Sequence, residues 1–450
     1  MITLNLKNQS GILLLFLSSL CSYNCSNDAS LATVDETTSD KLSNEEKFFL
    51  SRLNRNNHIT PVQAEQIIRD ETTGITTRGM SDLQIVGIIE NKQEEGQGEQ
   101  EKYQLDTLAY LFESKGQSKR YIVSADDRTH ETLLAEYNYD GGENENIDIL
   151  YNIDCLIRSG ISSYVRNEVV DFETRKDSIL ASIYRKTGQS VNGDTRITRG
   201  PIPKDDSLDE IVYVDEYIEN WHRVGYKAPM LTVIWNQDCP YNDSVKDMLP
   251  CGTVPAGCVT VAVAQLMSYW AYPDTYDWDD LTANPVISQG TSAASEVASL
   301  MEDVFIGCDV TAGCGESPSN IYNARNYLVN IGYTCNDIQY YTASAIEDAL
   351  RFSHPVIIRG ATSNNEGHEW NIDGYEKEKA VICRRSYRYD EATGTRILFS
   401  TSTFERYKTK FHYNWGWGGL YNGWFADGCF NSHTSYGSFS YDVRFLVATH

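Results

Sequence analysis

A chain of 450 residues with 41% hydrophobic and 22% charged side chains is long enough for two folded units and too apolar for wholesale disorder. Its formal net charge of −25 excludes the lysine and arginine surplus that phosphate-backbone binding or a polybasic membrane patch requires. Part of that acidity sits in residues 92–102, which read as a solvated loop.

In chain order, Lys7 ahead of an apolar stretch at 11–20 predicts an export signal over residues 1–25, because so short a stretch does not span a bilayer as a helix. Cys21 and Cys25 stand where a small-residue cleavage motif is expected. Cys25-Ser26-Asn27-Asp28 resembles the start of a mature bacterial lipoprotein, whereas Ser22-Tyr23-Asn24 fits a lipobox poorly. A lipid anchor and a freely exported chain both stay open. Polar residues 26–44 are expected to form a linker. Residues 45–69 carry a helical pattern broken at Thr60-Pro61, where proline opens a second helix.

Residues 104–114 and 120–124 read as strands joined through Lys115-Gly116-Gln117, and 133–139 add another. Helical spacing returns over 146–166, with Ile147, Leu150, Ile153, Leu156 and Ile157 on one side. Residues 188–204 turn polar and rich in turn formers, which predicts an exposed boundary with Arg196 and Arg199 accessible in it. The expected organisation is an α+β unit over 45–190, an exposed linker over 191–228, and a larger unit over 229–450 that ends in β-rich sequence. Eleven cysteines leave at least one unpaired, and without any C-x-x-C a zinc ribbon or thioredoxin motif loses its main support. No metal and no cofactor are expected. In an oxidising compartment some cysteines pair, and Cys308 and Cys314 are close enough in sequence to be bridged.

The chemistry concentrates in four places. After the turn Pro255-Ala256-Gly257, an apolar helix runs from Val259 and ends before Pro273, with Cys258 at its N-terminus. Unpaired N–H groups and the helix dipole there favour a negative sulfur, which predicts a thiol pKa below the free value of ~8.5. A buried structural thiol is the other ordinary reading of such a cysteine. A reactive thiol needs a base, and His368, Trp370 and Ile372 share one face of a strand ahead of an Asp373-Gly374 turn, where the imidazole is held in one orientation. A plain core histidine fits the same pattern.

The glycine-dense Asn414-Trp415-Gly416-Trp417-Gly418-Gly419 follows a strand over 408–413 and predicts a tight turn. Asn414 there is positioned to bond the second nitrogen of a base, with Trp415 shielding that bond. Upstream, the side-chain amide of Gln237 is a candidate donor to a developing oxyanion, together with the backbone N–H of Cys258.

Taken together, residues 235–242 (WNQDCPYN), 257–269 (GCVTVAVAQLMSY), 368–375 (HEWNIDGY) and 414–419 (NWGWGG) resemble, in order, the streptopain family of bacterial papain-like cysteine proteases. The resemblance reaches from about Thr107 to the C-terminus, since residues 121–128 (YIVSADDR) are similar to the core strands of the family's propeptide. It implies an α+β fold, with a papain-like catalytic domain of a helical part and an antiparallel β part, behind an α+β propeptide. It implies Cys258 as nucleophile, His368 as general base, Gln237 in the oxyanion hole, and Asn414 and Trp415 behind the histidine. Protein or peptide substrates and the chain's own propeptide, as an intramolecular inhibitor, are the partners it implies, with release by a cut between about residues 188 and 229. Nucleic acid is not among them, and a membrane enters only through the lipid anchor.

Two departures from the family pattern stand out. The connection from Asp373 to Asn414 is long, which predicts an inserted hairpin between Tyr375 and Tyr407. Glu369 also follows His368 where a small residue is common, so a charge stands beside the base. A catalytically silent surface lipoprotein binding protein or glycan through its 29 tyrosines and 8 tryptophans, and a Cys/His peptidoglycan amidase, are the alternatives.

Overall fold

The computed structural model describes residues 42–52, 57–72, 82–91, 105–139, 147–187, 189–192, 196–199, 211–218, 221–361, 367–390, 395–430 and 441–450. The export signal, Cys21, Cys25, nearly all of the 26–44 linker and the acidic run at 92–102 lie outside these residues.

The N-terminal unit contains α1 (Asn44–Arg52), α2 (Pro61–Thr72), β1 (Leu83–Glu90), β2 (Thr107–Ser114), β3 (Lys119–Ser124), β4 (Leu133–Asn138) and α3 (Ile147–Thr187). Pro61 opens α2 as its position predicts, and Thr60 and Gln63 close a reciprocal cap at its start, the Thr60 N–H donating to Gln63 Oε1 at 2.9 Å. Helix α3 continues well past the predicted end at 166. Val169, Phe172, Ile179 and Ile183 keep the helical spacing and are buried, and Phe172, Ile179 and Ile183 meet Phe49 and Leu50 of α1. Tertiary contact with α1 therefore extends a helix whose mid-section is rich in charge.

The expected linker is not bare chain. It holds β5 (Gln189–Asn192) paired with β6 (Arg196–Arg199), then β7 (Ile211–Ile218) and β8 (His222–Lys227), both of which join the main sheet. The larger unit follows with α4 (Cys258–Trp270), α5 (Trp278–Thr282), α6 (Ser292–Gly307), α7 (Ile321–Asn330), β9 (Thr334–Cys335), β10 (Gln339–Tyr340), α8 (Ala343–Arg351), β11 (Val356–Ala361), β12 (Gly367–Asp390), β13 (Thr395–Asn414), β14 (Gly423–Ala426) and β15 (Tyr441–Thr449). Helix α4 is buried along ten consecutive residues from Val259 to Ser268, which suits its near-continuous apolar sequence. Each valine or leucine fully buried there contributes roughly 1.5–3 kcal/mol.

A 13-stranded antiparallel sheet runs β1-β2-β3-β4-β14-β13-β12-β11-β15-β10, with β7 and β8 on β12 and β9 on β15. The two units thus share one sheet, joined where β4 lies along β14 with Tyr137 opposite Gly423 and Ala135 opposite Phe425. The fold class is α+β, with a helical layer built on α4 and α6 and an antiparallel β layer. The inserted hairpin is the distal part of β12 and β13, paired from Glu376 opposite Lys410 to Asp390 opposite Thr395 with one register shift between Ser386 and Tyr387. Asp373-Gly374 is not a turn. The register slips between Ile372 and Gly374, a bulge that lets the strand run on into the hairpin.

The disulfide joins Cys251 to Cys314, and Cys308 is a buried free thiol at the end of α6. Proximity in sequence misled here because α6 turns Cys308 into the core while the following loop returns to the start of α4. Closing 63 residues restricts the unfolded chain by about 4 kcal/mol in the chain-entropy picture.

Candidate active site

Cys258 is the first residue of α4. Before it, Gly257 has φ of 86°, and a Cβ there would lie 2.5 Å from the carbonyl oxygen of Ser317. Only glycine lets the loop that carries Ser317 close over the helix start. The sulfur faces the backbone N–H groups of Glu369, Val259 and Cys258 itself, which favour a thiolate. Burial, joined by the charge of Glu369, outweighs them and pushes the thiol up to about 12. The lowered pKa expected from the helix N-terminus is therefore reversed in this state, because desolvation of the sulfur exceeds what the helix end supplies.

His368, on β12, is 6% exposed. Its Nε2 lies 3.1 Å from the carbonyl oxygen of Trp415. A carbonyl only accepts, so Nε2 carries the proton and Nδ1 is the basic nitrogen of the ring. Burial lowers the imidazole to about 4, against the opposing effect of that carbonyl. The ring stacks on Trp417 with 4.5 Å between centroids, and Trp370 and Trp415 flank it at 5.9 and 6.0 Å. Thiol and imidazole are thus both neutral in the two-unit chain near pH 7. The predicted tight turn is present, with Gly416, Gly418 and Gly419 at φ of 75°, 67° and 87°.

The opposite face of β12 points at α4. Asn371 Nδ2 donates to Ala262 O at 3.1 Å and to Gln265 Oε1 at 3.0 Å. Gln265 Nε2 donates to Asn414 Oδ1 at 3.2 Å, and Asn414 Nδ2 donates to Val233 O at 2.9 Å. Asn414 Oδ1 also accepts from the Gly416 N–H at 3.3 Å. Asn414 is therefore engaged by Gln265, Val233 and Gly416, and the ring nitrogen it was expected to meet bonds the Trp415 carbonyl instead. Gln265, Asn371 and Asn414 are all buried, so the three amides fasten the thiol's helix to the strands around the histidine. Gln265 lay inside the quoted 257–269 element without a role. Its signal was a polar side chain in an otherwise apolar helix.

Gln237 sits on the loop before α4, where its carbonyl accepts from the Ala256 N–H at 2.9 Å, two residues ahead of Cys258. Its side-chain amide makes no hydrogen bond among the described residues. Trp415 is 1% exposed, and its N–H donates to Asn422 Oδ1 at 3.0 Å.

The N-terminal unit reaches this site through aromatic rings. Gly160 of α3 packs directly on Phe430, whose ring lies 5.2 Å from Trp415 and 6.4 Å from Trp370. It also grips the inserted hairpin. Glu71 of α2 pairs with Lys408 and with Lys410, the latter at 3.0 Å, and Arg406 donates to the carbonyl of His130.

Residues 235–275 and 274–425 match the Peptidase C10 family. Over 206 residues the chain is 30% identical to the thiol protease/hemagglutinin PrtT of Porphyromonas gingivalis, covering 42% of this chain and 22% of that protein. The chain thus spans about a fifth of the length of that curated relative. Among solved structures, a fragment of Prevotella intermedia prointerpain A is 18% identical with a TM-score of 0.44, covering 80% of this chain and 97% of that one. The active wild-type interpain A cysteine protease of the same organism is 22% identical with a TM-score of 0.36, covering 50% and 95%. The four sequence elements, in their order, all fall within residues 235–425, the region that matches the Peptidase C10 (streptopain) family.

Proposed function

We propose that the chain is an exported cysteine endopeptidase made as a zymogen, with Cys258 as nucleophile and His368 as general base. The observation that carries this reading is the meeting of the α4 N-terminus with β12, where the backbone N–H next to His368 points at the Cys258 sulfur. In the active form Nδ1 of His368 takes the thiol proton, and the sulfur attacks a peptide carbonyl. The Cys258 N–H and the unengaged amide of Gln237 receive the oxyanion. The imidazolium then gives its proton to the leaving amine, and water, deprotonated by the same ring, cleaves the thioester. Trp415 and Asn414 hold the histidine's surroundings, Trp415 through its carbonyl and Asn414 through Gln265.

Inhibition by the N-terminal unit follows from the neutral thiol and imidazole that coexist with it. Its removal admits water to the wall formed by Phe430 and the tryptophans, which favours the ion pair. Export, by the signal over 1–25 with or without a lipid on Cys21 or Cys25, is part of the same proposal. The test is incubation of the chain from Ser26 onward in reducing buffer with casein, wild type beside Cys258→Ala. Wild type is expected to mature and degrade casein, and the variant to do neither. Casein loss with Cys258→Ala sinks the assignment of the nucleophile.

A further inference from the structure

Beside the nucleophile stand two buried side-chain oxygens that no described residue satisfies. Glu369, 3% exposed, has Oε2 without a hydrogen-bond partner, and Ser317, 4% exposed, has Oγ without one. Both flank Cys258. The backbone N–H of Glu369 faces the sulfur, and Ser317 packs on Gly257. The charge of Glu369 acts on Cys258 at the start of α4 and on Cys308 at the end of α6. The cation directly across the sheet, Arg359, pairs in register with Glu369 but directs its guanidinium to Asp442 Oδ2 at 2.9 Å.

A carboxyl buried without its own cation is costly, and native proteins keep such groups where a ligand completes them. We infer that Glu369 is a specificity-determining residue, its carboxyl receiving a cationic lysine or arginine side chain of the peptide close to the bond being cut, with Ser317 Oγ accepting a further N–H from the same group. This rests on Cys258 being the nucleophile and adds the substrate class. Burial raises the Glu369 carboxyl to about 8, with Arg359 opposing, so it is a group whose ionised form needs an incoming positive charge near neutrality. An arginine or lysine supplies that charge, whereas a leucine leaves the carboxyl unpaired and an acidic side chain repels it.

The experiment uses the full chain matured in reducing buffer and a set of fluorogenic peptides carrying Lys, Arg, Leu or Glu at each of three positions before the cut. Wild type is expected to favour Lys or Arg over Leu at one of them by about ten-fold or more in kcat/KM, most of it in KM. Glu369→Gln, which keeps the shape, and Glu369→Ala are expected to bring that ratio close to one. A Cys258-dependent activity in which wild type ignores or rejects the cation, or in which both variants keep the preference, overturns this inference alone. Should neither variant fold, the wild-type ratio decides. Hydrolysis that survives in Cys258→Ala, or its absence from wild type, overturns the reading of Cys258 and this one with it.

Discussion

With the Cys258 thiol at about 12 and the His368 imidazole at about 4, neither group is charged at neutral pH, which is the resting state of the proposed pair. At pH 8 such a thiol holds on the order of a thousandfold less thiolate than a free cysteine. Alkylation of Cys258 in the intact two-unit chain should be slowed by that order, and it should speed up once the N-terminal unit is cut away. Peptide mapping after timed iodoacetamide labelling reads both rates, and prompt labelling of the intact chain would show the resting pair to be wrong. The amides behind the pair carry a separate prediction. Gln265→Leu removes one acceptor from Asn371 and one donor from Asn414 in a dry setting, which costs about 1–3 kcal/mol in urea unfolding. Because Gln265 positions rather than reacts, kcat should fall with KM little changed. Sequence pattern placed Cys258 at a helix start, His368 on a strand and NWGWGG in a glycine turn, because apolar continuity, alternation and glycine density are local signals. The Asn414 hydrogen bond was not legible, because which of several buried acceptors an amide selects depends on where α4 and β13 come to rest.

Elements were readable where local pattern and tertiary packing agree, as at Pro61 opening α2 and across the β2–β3 hairpin. They were not readable where packing decides, as in the second half of α3 and in β8, whereas β7 (IVYVDEYI) carries an apolar, β-branched run that the linker expectation passed over. The sheet edge that takes both strands belongs to the inserted hairpin, and the hairpin is also where the N-terminal unit is gripped. Burial alone would raise Glu71, but Lys410 and Lys408 override it and hold the carboxyl at about 2, below its ordinary 4.5. A depressed carboxyl contributes stability that is fully present above pH 4.5 and lost as pH falls toward 2, here about 3 kcal/mol. Glu131 works in the other direction. Burial raises it to about 8 despite Lys408, Arg406 and Lys410, so stability is lost as pH climbs from 4.5 toward 8. His130, lowered to about 4 by burial and by Arg406, adds stability that is lost as pH falls from 6.5 toward 4 and so offsets Glu131 over that range; attachment of the N-terminal unit should be firmest between about pH 4.5 and 6.5 and weaken on both sides. Thermal unfolding of the full-length Cys258→Ala chain from pH 3 to 8 should show that optimum, and Glu71→Gln should lower Tm at pH 6 about twice as much as at pH 3. An equal loss at both pH values would mean that Glu71 acts through shape and not charge.

At the scale of the whole molecule, the shared sheet sets where the chain can be divided. One edge of β12 is covered by β13 from Asn371 to Asp390, and the other by three strands in succession: β11 over residues 367–372, β8 over 375–379 and β7 over 382–388. A cut after Lys227 that released β7 and β8 with the N-terminal unit would bare the distal edge of β12, an open template for pairing with another chain. A cut in the 188–210 stretch leaves β7 and β8 in place and separates the units at the β4–β14 seam, at the apolar core they share around Leu134, Ile161, Phe425 and Phe430, and at the charged and aromatic contacts of α1, α2 and α3. That seam is short, with three residue pairs, two flanking backbone hydrogen bonds of 3.0 and 3.1 Å and the Tyr137 ring against Tyr421 and Phe425. Opening it exposes the apolar core shared by the two units but leaves β7 and β8 paired with β12. The N-terminus of the matured form should therefore fall between residues 188 and 211, within the broader 188–229 window suggested by polarity alone. Edman or mass-spectrometric sequencing of the active species decides it. A start beyond Lys227 in a soluble, monomeric enzyme would mean that β7 and β8 are parts of the inhibitor and that β12 tolerates a free edge.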